Sequence, residues 1–300
     1  MLDVLVIGSG PAGLSAAVYA KRANLDVLVA EKVFYGTGQI AESNLVDNYL
    51  GFAGINGYDL GEKFREHAVN LGVEFKEGEA RAFEFAEGRW NVHFKNGDVV
   101  ETKTVIYAAG AVHRHLGVQG ENEFAGKGVS YCATCDGVFF KGKTTVVIGG
   151  GDTALDDALY LADLCSKVYL VHRRDEFRGS ARTVEKLKAK ENVEFVMEAE
   201  TAAITGTDKV QKLQLEDGRS LDVDGIFVAV GMIPMTVPVK NVVDLDAAGY
   251  IVADETGKTS AEGFFVAGDV RTKALRQVVT AVSDGANAAT SAELHIRLGI

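Results

Sequence analysis

Apolar positions along the chain fall into two copies of one pattern. Leu2–Ile7 is an unbroken β-type run, followed by the glycine turn Gly8-Ser9-Gly10-Pro11-Ala12-Gly13 and an alanine-rich helical stretch, Leu14–Ala23. A second run, Asp26–Ala30, ends at Glu31. The pattern restarts with the run Lys143–Ile148, the turn Gly149-Gly150-Gly151-Asp152-Thr153-Ala154 and a helix over Leu155–Leu164. Another strand, Lys167–Val171, runs into His172-Arg173-Arg174-Asp175-Glu176-Phe177-Arg178. Between the copies, residues 60–71 read as an amphipathic helix and 73–108 as short alternating strands with an Asn96-Gly97 hairpin turn. Further buried strands are expected at Asp224–Val230 and Phe264–Ala267, and a helix over Gln277–Leu298 closes the chain. The two glycine turns stand about 140 residues apart, the separation of two tandem dinucleotide-binding units rather than of a solenoid.

The 300 residues are ample for two such cores, and with only three prolines the crossings between units should be short hinges, near 112–118 and 238–246. The expected division is 1–112 with 245–300 for one domain and 113–244 for the other. The balance of 31 basic and 42 acidic side chains gives a net charge of −11, a field that repels nucleic acid and anionic lipid. No apolar run approaches the roughly 18 residues of a membrane span, and the opening MLDVLVIGSG carries no leader-like charge or cleavage pattern. The expected partners are small molecules and proteins, with no nucleic acid and no membrane.

A strand, a glycine turn and a helix together suit a dinucleotide. Gly8 permits the turn, Gly10 lets backbone N–H groups approach a pyrophosphate at the helix N-terminus, and Gly13 allows close helix–strand contact. Glu31 stands where such folds place an acid on a ribose. In the second copy Ala154 replaces the last glycine. The cationic residues His172, Arg173, Arg174 and Arg178 follow the second strand, where the 2′-phosphate that distinguishes NADPH from NADH would lie. A solvated basic helix face continuing through Lys186, Lys188 and Lys190 is the alternative.

Three cysteines are too few for a disulfide framework. Cys132 and Cys135 are spaced to close a small redox-active disulfide, and Asp136 beside them can shuttle protons. A zinc site would need two further Cys or His ligands, and Cys165 belongs to an apolar helical pattern, so no metal is expected. A redox-active pair suits a reducing cytoplasm.

Taken in order, Ser9-Gly10-Pro11-Ala12-Gly13, Tyr131-Cys132-Ala133-Thr134-Cys135-Asp136, His172–Arg178, and Gly268-Asp269-Val270 with Arg276-Gln277 resemble the bacterial low-molecular-weight thioredoxin reductases over essentially the whole chain. The resemblance implies an α/β fold of two Rossmann-like domains of the three-layer ββα type, an FAD domain interrupted by an inserted NADPH domain. It implies FAD held by Gly8–Gly13 at the pyrophosphate, Glu31 at the ribose, Gln39 and Asn48 near the ribityl–flavin region, and backbone near Ala80 at the adenine. Asp269 would hold the ribityl chain or pyrophosphate, and Arg276, Gln277 and Val278 the isoalloxazine edge. NADPH would lie on Gly149, Gly151, Asp152, Thr153 and Ala154. In such enzymes the second cysteine, here Cys135, lies against the flavin and the first, here Cys132, attacks the partner. These demands are reconciled by rotation of one domain against the other. The implied partner is thioredoxin or a thioredoxin-like protein, and the implied assembly a homodimer.

Three positions depart from the family pattern. Ala108-Ala109-Gly110 replaces Ala-Thr-Gly, Asn48-Tyr49-Leu50-Gly51 replaces a proline-containing turn, and Met235 stands where Asn is usual. The Asn-Tyr-Leu-Gly turn also resembles clostridial ferredoxin-dependent flavin thioredoxin reductases, which lack the arginine cluster present here. A flavin-dependent small-molecule dithiol oxidase is the other alternative.

Overall fold

Val4, Leu5, Val6 and Ile7 of strand β1 (Leu2–Ile7) are all buried, yet they serve two different cores. Val4 and Val6 join one cluster, while Leu5 and Ile7 join a second on the opposite face, as the two-residue period of a strand requires. A strand covered on both faces reads as a continuous apolar run.

The computed structural model describes residues 1–33, 35–43 and 45–299. They build two compact units, Met1–Val112 with Ile233–Ile300 and His113–Met232.

In the first unit β1 lies between β2 (Val27–Glu31) and β6 (Val99–Tyr107), with β3 (Glu74–Glu77) beyond β2 and β17 (Phe264–Val266) beside β6, all parallel. The first half of β6 pairs instead with an antiparallel meander, β4 (Ala80–Ala86) and β5 (Arg89–Phe94). Helices α1 (Pro11–Arg22), α2 (Gly57–Asn70) and α6 (Val278–Leu298) belong to the same unit. One core packs the sheet on alanines of α1 and α6, including Ala16, Ala17, Ala288 and Ala292. A Cβ on Gly285 would stand 2.1 Å from the carbonyl oxygen of Ala12, so glycine there permits the close helix crossing. The opposite core holds Trp90, Val92 and Phe94 of the meander, with Phe264 edge-on to Trp90. Helix α1 ends at Arg22, and Asn24 takes a left-handed φ of 59° that turns the chain toward β2.

The second unit repeats the plan. Its parallel sheet runs β11 (Val193–Val196), β10 (Lys167–Val171), β9 (Thr144–Ile148), β15 (Gly225–Val228), β8 (Val129–Ser130). Val147, Leu170 and Phe227 face helices α4 (Asp152–Ala162) and α5 (Ala181–Lys188). Val146, Val171 and Ile226 face a meander of β12 (Thr201–Gly206), β13 (Val210–Leu215) and β14 (Ser220–Asp222). Each unit is therefore helix layer, parallel sheet, antiparallel ribbon, the three-layer ββα order. A single turn of helix, α3 (Ala133–Asp136), follows β8.

The chain crosses between units at 112/113 and 232/233, within strands β7 (Ala111–His113) and β16 (Met232–Pro234). The second crossing precedes the sequence-based boundary at 244/245. The cause is packing: Val239 and Val243 are buried in the meander-side core of the first unit, and the Tyr107 hydroxyl donates to the carbonyl of Met235 at 2.6 Å.

Candidate active site

In the first unit the turn after β1 divides its glycines by role. Gly8 has φ 107°, and a Cβ there would strike the Ala108 carbonyl at 2.4 Å; a Cβ on Gly13 would lie 1.8 Å from the Gly8 carbonyl. Both are glycines because the fold needs them. At Gly10, the N-cap of α1, the nearest atom is 3.7 Å away and φ is −72°, so neither crowding nor backbone strain accounts for it. With no side-chain cap and Pro11 at the first helical position, the first-turn amides suit an anion.

Glu31 at the end of β2 is 3% exposed. Arg65 of α2 grips both its oxygens at 2.7 and 2.8 Å, and the Gly36 N–H donates at 3.1 Å. Burial pushes the carboxyl up, but Arg65, the Ser9 hydroxyl and Gly36 outweigh it and hold it below the ordinary glutamate value. Asn48 and Gln277, 229 positions apart, meet as the Asn48 amide donates to Gln277 Oε1 at 3.0 Å. Gln39 opens a short 3-10 turn and Ala80, buried, opens β4. Gln277 caps α6 in a reciprocal box with Thr280, followed by Val278.

Asp269 and Arg276 carry the observation that bears on a bound group. Asp269 Oδ1 and Arg276 Nε are buried with no hydrogen-bond partner among the described residues. Burial raises the Asp269 carboxyl above its usual range, opposed by Lys273 and Arg276 and reinforced by Asp284. Orphaned polar atoms cost about 1–3 kcal/mol each, so their persistence here fits a polar ligand such as the flavin dinucleotide.

The second unit repeats the division of glycines. Gly149, at φ 155°, would place a Cβ 2.3 Å from the Ala229 carbonyl, and one on Gly150 would enter the His172 ring at 2.2 Å. Gly151, the N-cap of α4, has nothing within 4 Å. It opens on a cavity of about 540 Å³ that is also lined by Gly149, Thr153, His172, Arg173 and Arg178. Arg174, exposed, Ala154, buried beneath the turn, and Asp152 are not in the lining. Asp152 accepts from the Ser180 N–H at 2.7 Å, and the Arg178 N–H donates to the Gly150 carbonyl at 2.8 Å, so the arginine loop is folded back onto the glycine turn. Arg173, Arg174 and Arg178 form no ion pair among the described residues. His172 is different. It is buried, stacked on Phe177 at 5.3 Å, with Nε2 3.1 Å from the Glu176 carbonyl. Burial, with the surrounding arginines, holds its pKa below the usual histidine value, so the ring is neutral at pH 7.

A disulfide joins Cys132 and Cys135 in the same unit. Cys132 caps α3, and its carbonyl accepts from the Cys135 and Asp136 N–H groups at 3.3 and 3.1 Å. The turn is anchored on both sides. Gly137 packs on Tyr160 and Leu161 of α4, where a Cβ would stand 2.9 Å from the tyrosine ring. Ahead of the cysteines, the Tyr131 hydroxyl donates to buried Glu121 at 2.9 Å, and His115 Nδ1 approaches the same hydroxyl at 2.9 Å. Burial raises the Asp136 carboxyl above the usual aspartate value, and a hydrogen bond from Ser130 opposes it. Cys165 is buried, its thiol donating to the Phe140 carbonyl at 3.3 Å, a core residue.

A model of the family described as pyridine nucleotide-disulphide oxidoreductase matches residues 2–285. The chain belongs to this oxidoreductase family. Two relatives in it are thioredoxin reductases: that of Bacillus subtilis (strain 168) is 41% identical over 98% of this chain and 94% of its own, and that of Treponema pallidum (strain Nichols) is 41% identical over 98% and 97%. The crystal structure of thioredoxin reductase from Streptococcus pyogenes MGAS5005 superimposes with a TM-score of 0.93 at 38% identity, covering 99% of this chain and 98% of that one. Among the described residues of this family member no helix is long and apolar enough to cross a membrane, and no cluster of three His, Cys, Asp or Glu could hold a metal ion.

Sequence reasoning passed over several residues at these sites. Asp284 lies within alanine-rich α6, 2% exposed at its side chain, and is bound by Arg271 at 2.8 Å and Lys273 at 2.8 Å while accepting the Gly268 N–H at 3.0 Å. An acid on the apolar face of a helix was the available signal. Gly179, where a Cβ would stand 2.8 Å from the Asp152 nitrogen, Arg65 and Ser130 were also missed.

Proposed function

We propose that the chain is a thioredoxin reductase, carrying two electrons from NADPH by way of FAD and the Cys132–Cys135 pair to the disulfide of thioredoxin or a thioredoxin-like protein. One observation carries the reading: a cysteine pair with an adjacent half-buried carboxyl in a chain that also has two dinucleotide cradles, each with an open glycine at a helix N-terminus. A ferredoxin reductase or redox sensor does not need all three.

The residues of the first cradle suit FAD. Gly10 and the α1 amides would hold its pyrophosphate, Asp269 its polar chain, Arg276–Val278 with Asn48 and Gln39 its flavin side, and backbone near Ala80 its adenine. Bound there, FAD supplies the two-electron relay between nicotinamide and sulfur. Glu31, both of whose oxygens already accept from Arg65, would meet a ribose hydroxyl only through a remaining lone pair of Oε1. In the second cradle Gly151 admits the NADPH pyrophosphate. Arg173 and Arg178, with Arg174 at the rim, supply charge for the 2′-phosphate, and neutral His172 shapes the wall.

At the sulfur end, two electrons break the S–S bond. One sulfur takes a proton from Asp136 and the other remains a thiolate. Cys132 as thiolate attacks the partner's disulfide, a mixed disulfide forms, and Cys135 displaces the partner by attacking the Cys132 sulfur. Asp136, whose affinity for a proton is raised by burial against the opposing Ser130 hydrogen bond, is suited to give and retake that proton. The family resemblance extends the proposal to a homodimer in the cytoplasm.

The test is an anaerobic titration of the flavin-loaded protein with NADPH, NADH and reduced ferredoxin, each followed by thioredoxin. NADPH-driven thioredoxin reduction supports the reading. Reduction by ferredoxin alone would transfer it to the ferredoxin-dependent class, and oxygen consumption without thioredoxin turnover to a dithiol oxidase.

A further inference from the structure

Ser130 ends strand β8 and is 6% exposed. Its hydroxyl stands among three contacts: Asp136 Oδ2 at 2.6 Å, the Cys132 N–H at 3.1 Å and the Cys132 carbonyl oxygen at 3.3 Å. A hydroxyl has one proton and two acceptor sites. The Cys132 N–H can only donate, so it occupies one acceptor site permanently. The hydroxyl proton then has two destinations, the Asp136 carboxyl or the Cys132 carbonyl.

We propose that Ser130 is a positioning residue for the sulfur chemistry, its hydroxyl holding the Asp136 carboxyl against the cysteine turn in every protonation state that carboxyl passes through. The inference rests on the proton-transfer role proposed for Asp136. With Asp136 ionised, or protonated on Oδ1, Ser130 donates to Oδ2. With the proton on Oδ2, the carboxyl donates to Ser130 Oγ and the serine proton turns to the Cys132 carbonyl. All three forms use the same heavy-atom positions, so the proton moves without the carboxyl losing its place, and the clamp ties that place to the backbone of Cys132.

The cycle balances. As two electrons originating in the nicotinamide dinucleotide break the Cys132–Cys135 bond, protonated Asp136 gives its proton to one sulfur, leaving a thiol, a thiolate and an ionised carboxylate. As the enzyme disulfide closes again on exchange with a partner disulfide, the remaining thiol returns its proton to Asp136 and both partner sulfurs depart reduced. Helix α4, packed on α3, carries the titratable groups Asp152, Asp156, Asp157 and Tyr160. Burial raises the Asp136 carboxyl and the Ser130 hydrogen bond opposes it, so removing the hydroxyl alone exposes the serine's share.

The test uses flavin-loaded protein and the pair Ser130→Thr and Ser130→Val, nearly equal in shape and differing in the hydroxyl, with Ser130→Ala as a third variant. The carboxylic acid C=O band of the oxidised protein, identified by its loss in Asp136→Asn, is titrated by infrared difference spectroscopy, and reduction of the disulfide is followed by stopped flow. In Ser130→Val and Ser130→Ala the band should persist to higher pH than in the parent, because a donor to the ionised form is gone. Disulfide reduction should slow about tenfold, the order of one hydrogen bond to a charged group. Ser130→Thr should restore both. A parental titration and rate in Ser130→Val, or a threonine variant no better than valine, would overturn the proposal. If instead Asp136→Asn itself reduces thioredoxin with the parental rate and pH profile, the role of Asp136 fails, a result separate from any serine variant.

Discussion

Exchanging single glycines for alanine within one turn separates what the fold requires from what the ligand requires. In the second cradle Gly149→Ala forces an L residue to φ 155° and sets its Cβ 2.3 Å from the Ala229 carbonyl and 2.8 Å from the Ala154 methyl, contacts that rigid backbone cannot relieve. A loss on the order of 2–4 kcal/mol in stability follows. Gly151→Ala adds the same methyl group where nothing lies within 4 Å, at φ −96° and ψ 179°, a conformation alanine adopts freely. Its stability should stay within about 1 kcal/mol of the parent, on the favourable side through reduced unfolded-chain entropy. The methyl nevertheless stands at the N-terminus of α4, where it would displace a pyrophosphate from one or two amides. At about 1.5–3 kcal/mol for each charge-assisted hydrogen bond, NADPH affinity should fall roughly 10- to 100-fold per bond lost. Urea denaturation followed by circular dichroism measures the first quantity, and quenching of protein fluorescence by NADPH the second. The reasoning is refuted if Gly151→Ala binds NADPH as tightly as the parent, or if it loses as much stability as Gly149→Ala.

Three further outcomes are expected. Neutralising Arg173 and Arg178 together should raise the apparent KM for NADPH by about 10- to 100-fold per lost contact while hardly moving that for NADH; equal effects on both nucleotides would show that the arginines do not read the 2′-phosphate. Cys132→Ser and Cys135→Ser should each abolish thioredoxin reduction while NADPH still bleaches the flavin, and retained turnover in either variant would make the pair structural. Asp284→Ala leaves Lys273 buried without its acid and Arg271 with exposed Glu255 as its only carboxylate, so it should cost about 3–5 kcal/mol and weaken flavin retention through Gly268 and Asp269. The carboxyls of Asp284 and Glu31 are both held below their ordinary values of 3.8 and 4.5. Their contribution is thus complete above those values and disappears as pH falls through the lower folded-state pKa. An acid titration of Asp284→Asn should have a shallower limb in that range, and an unchanged limb would contradict the assignment.

Much of this molecule is legible without coordinates because its key devices are local. Strand, glycine turn and helix are contiguous in both cradles, and the cysteines and Asp136 share one turn. The arginine loop directly follows a strand. Strands β12 to β14 escaped notice because Thr201–Gly206 and Ser220–Asp222 are short and half-exposed, so their apolar positions are too few to set a period. The expected second crossing, near 238–246, lies beyond the observed change of unit at 232/233 because Val239 and Val243 within it are buried in the first unit, a long-range packing that leaves no local mark.

The sequence by itself determined the strand–turn–helix segments of both cradles, their tandem repetition, and which residue types carry redox and phosphate chemistry, since each depends on neighbours within a few positions. Tertiary structure alone decided which glycines are steric necessities and which face open space, a question of atoms from remote strands such as Ala108 and Ala229. It also decided the long-range pairings. Arg65 closes on Glu31, Asn48 meets Gln277, and Arg271 and Lys273 converge on Asp284. Such partners are chosen by where burial leaves a charge or amide unsatisfied, which is set by packing and leaves no periodic trace along the chain.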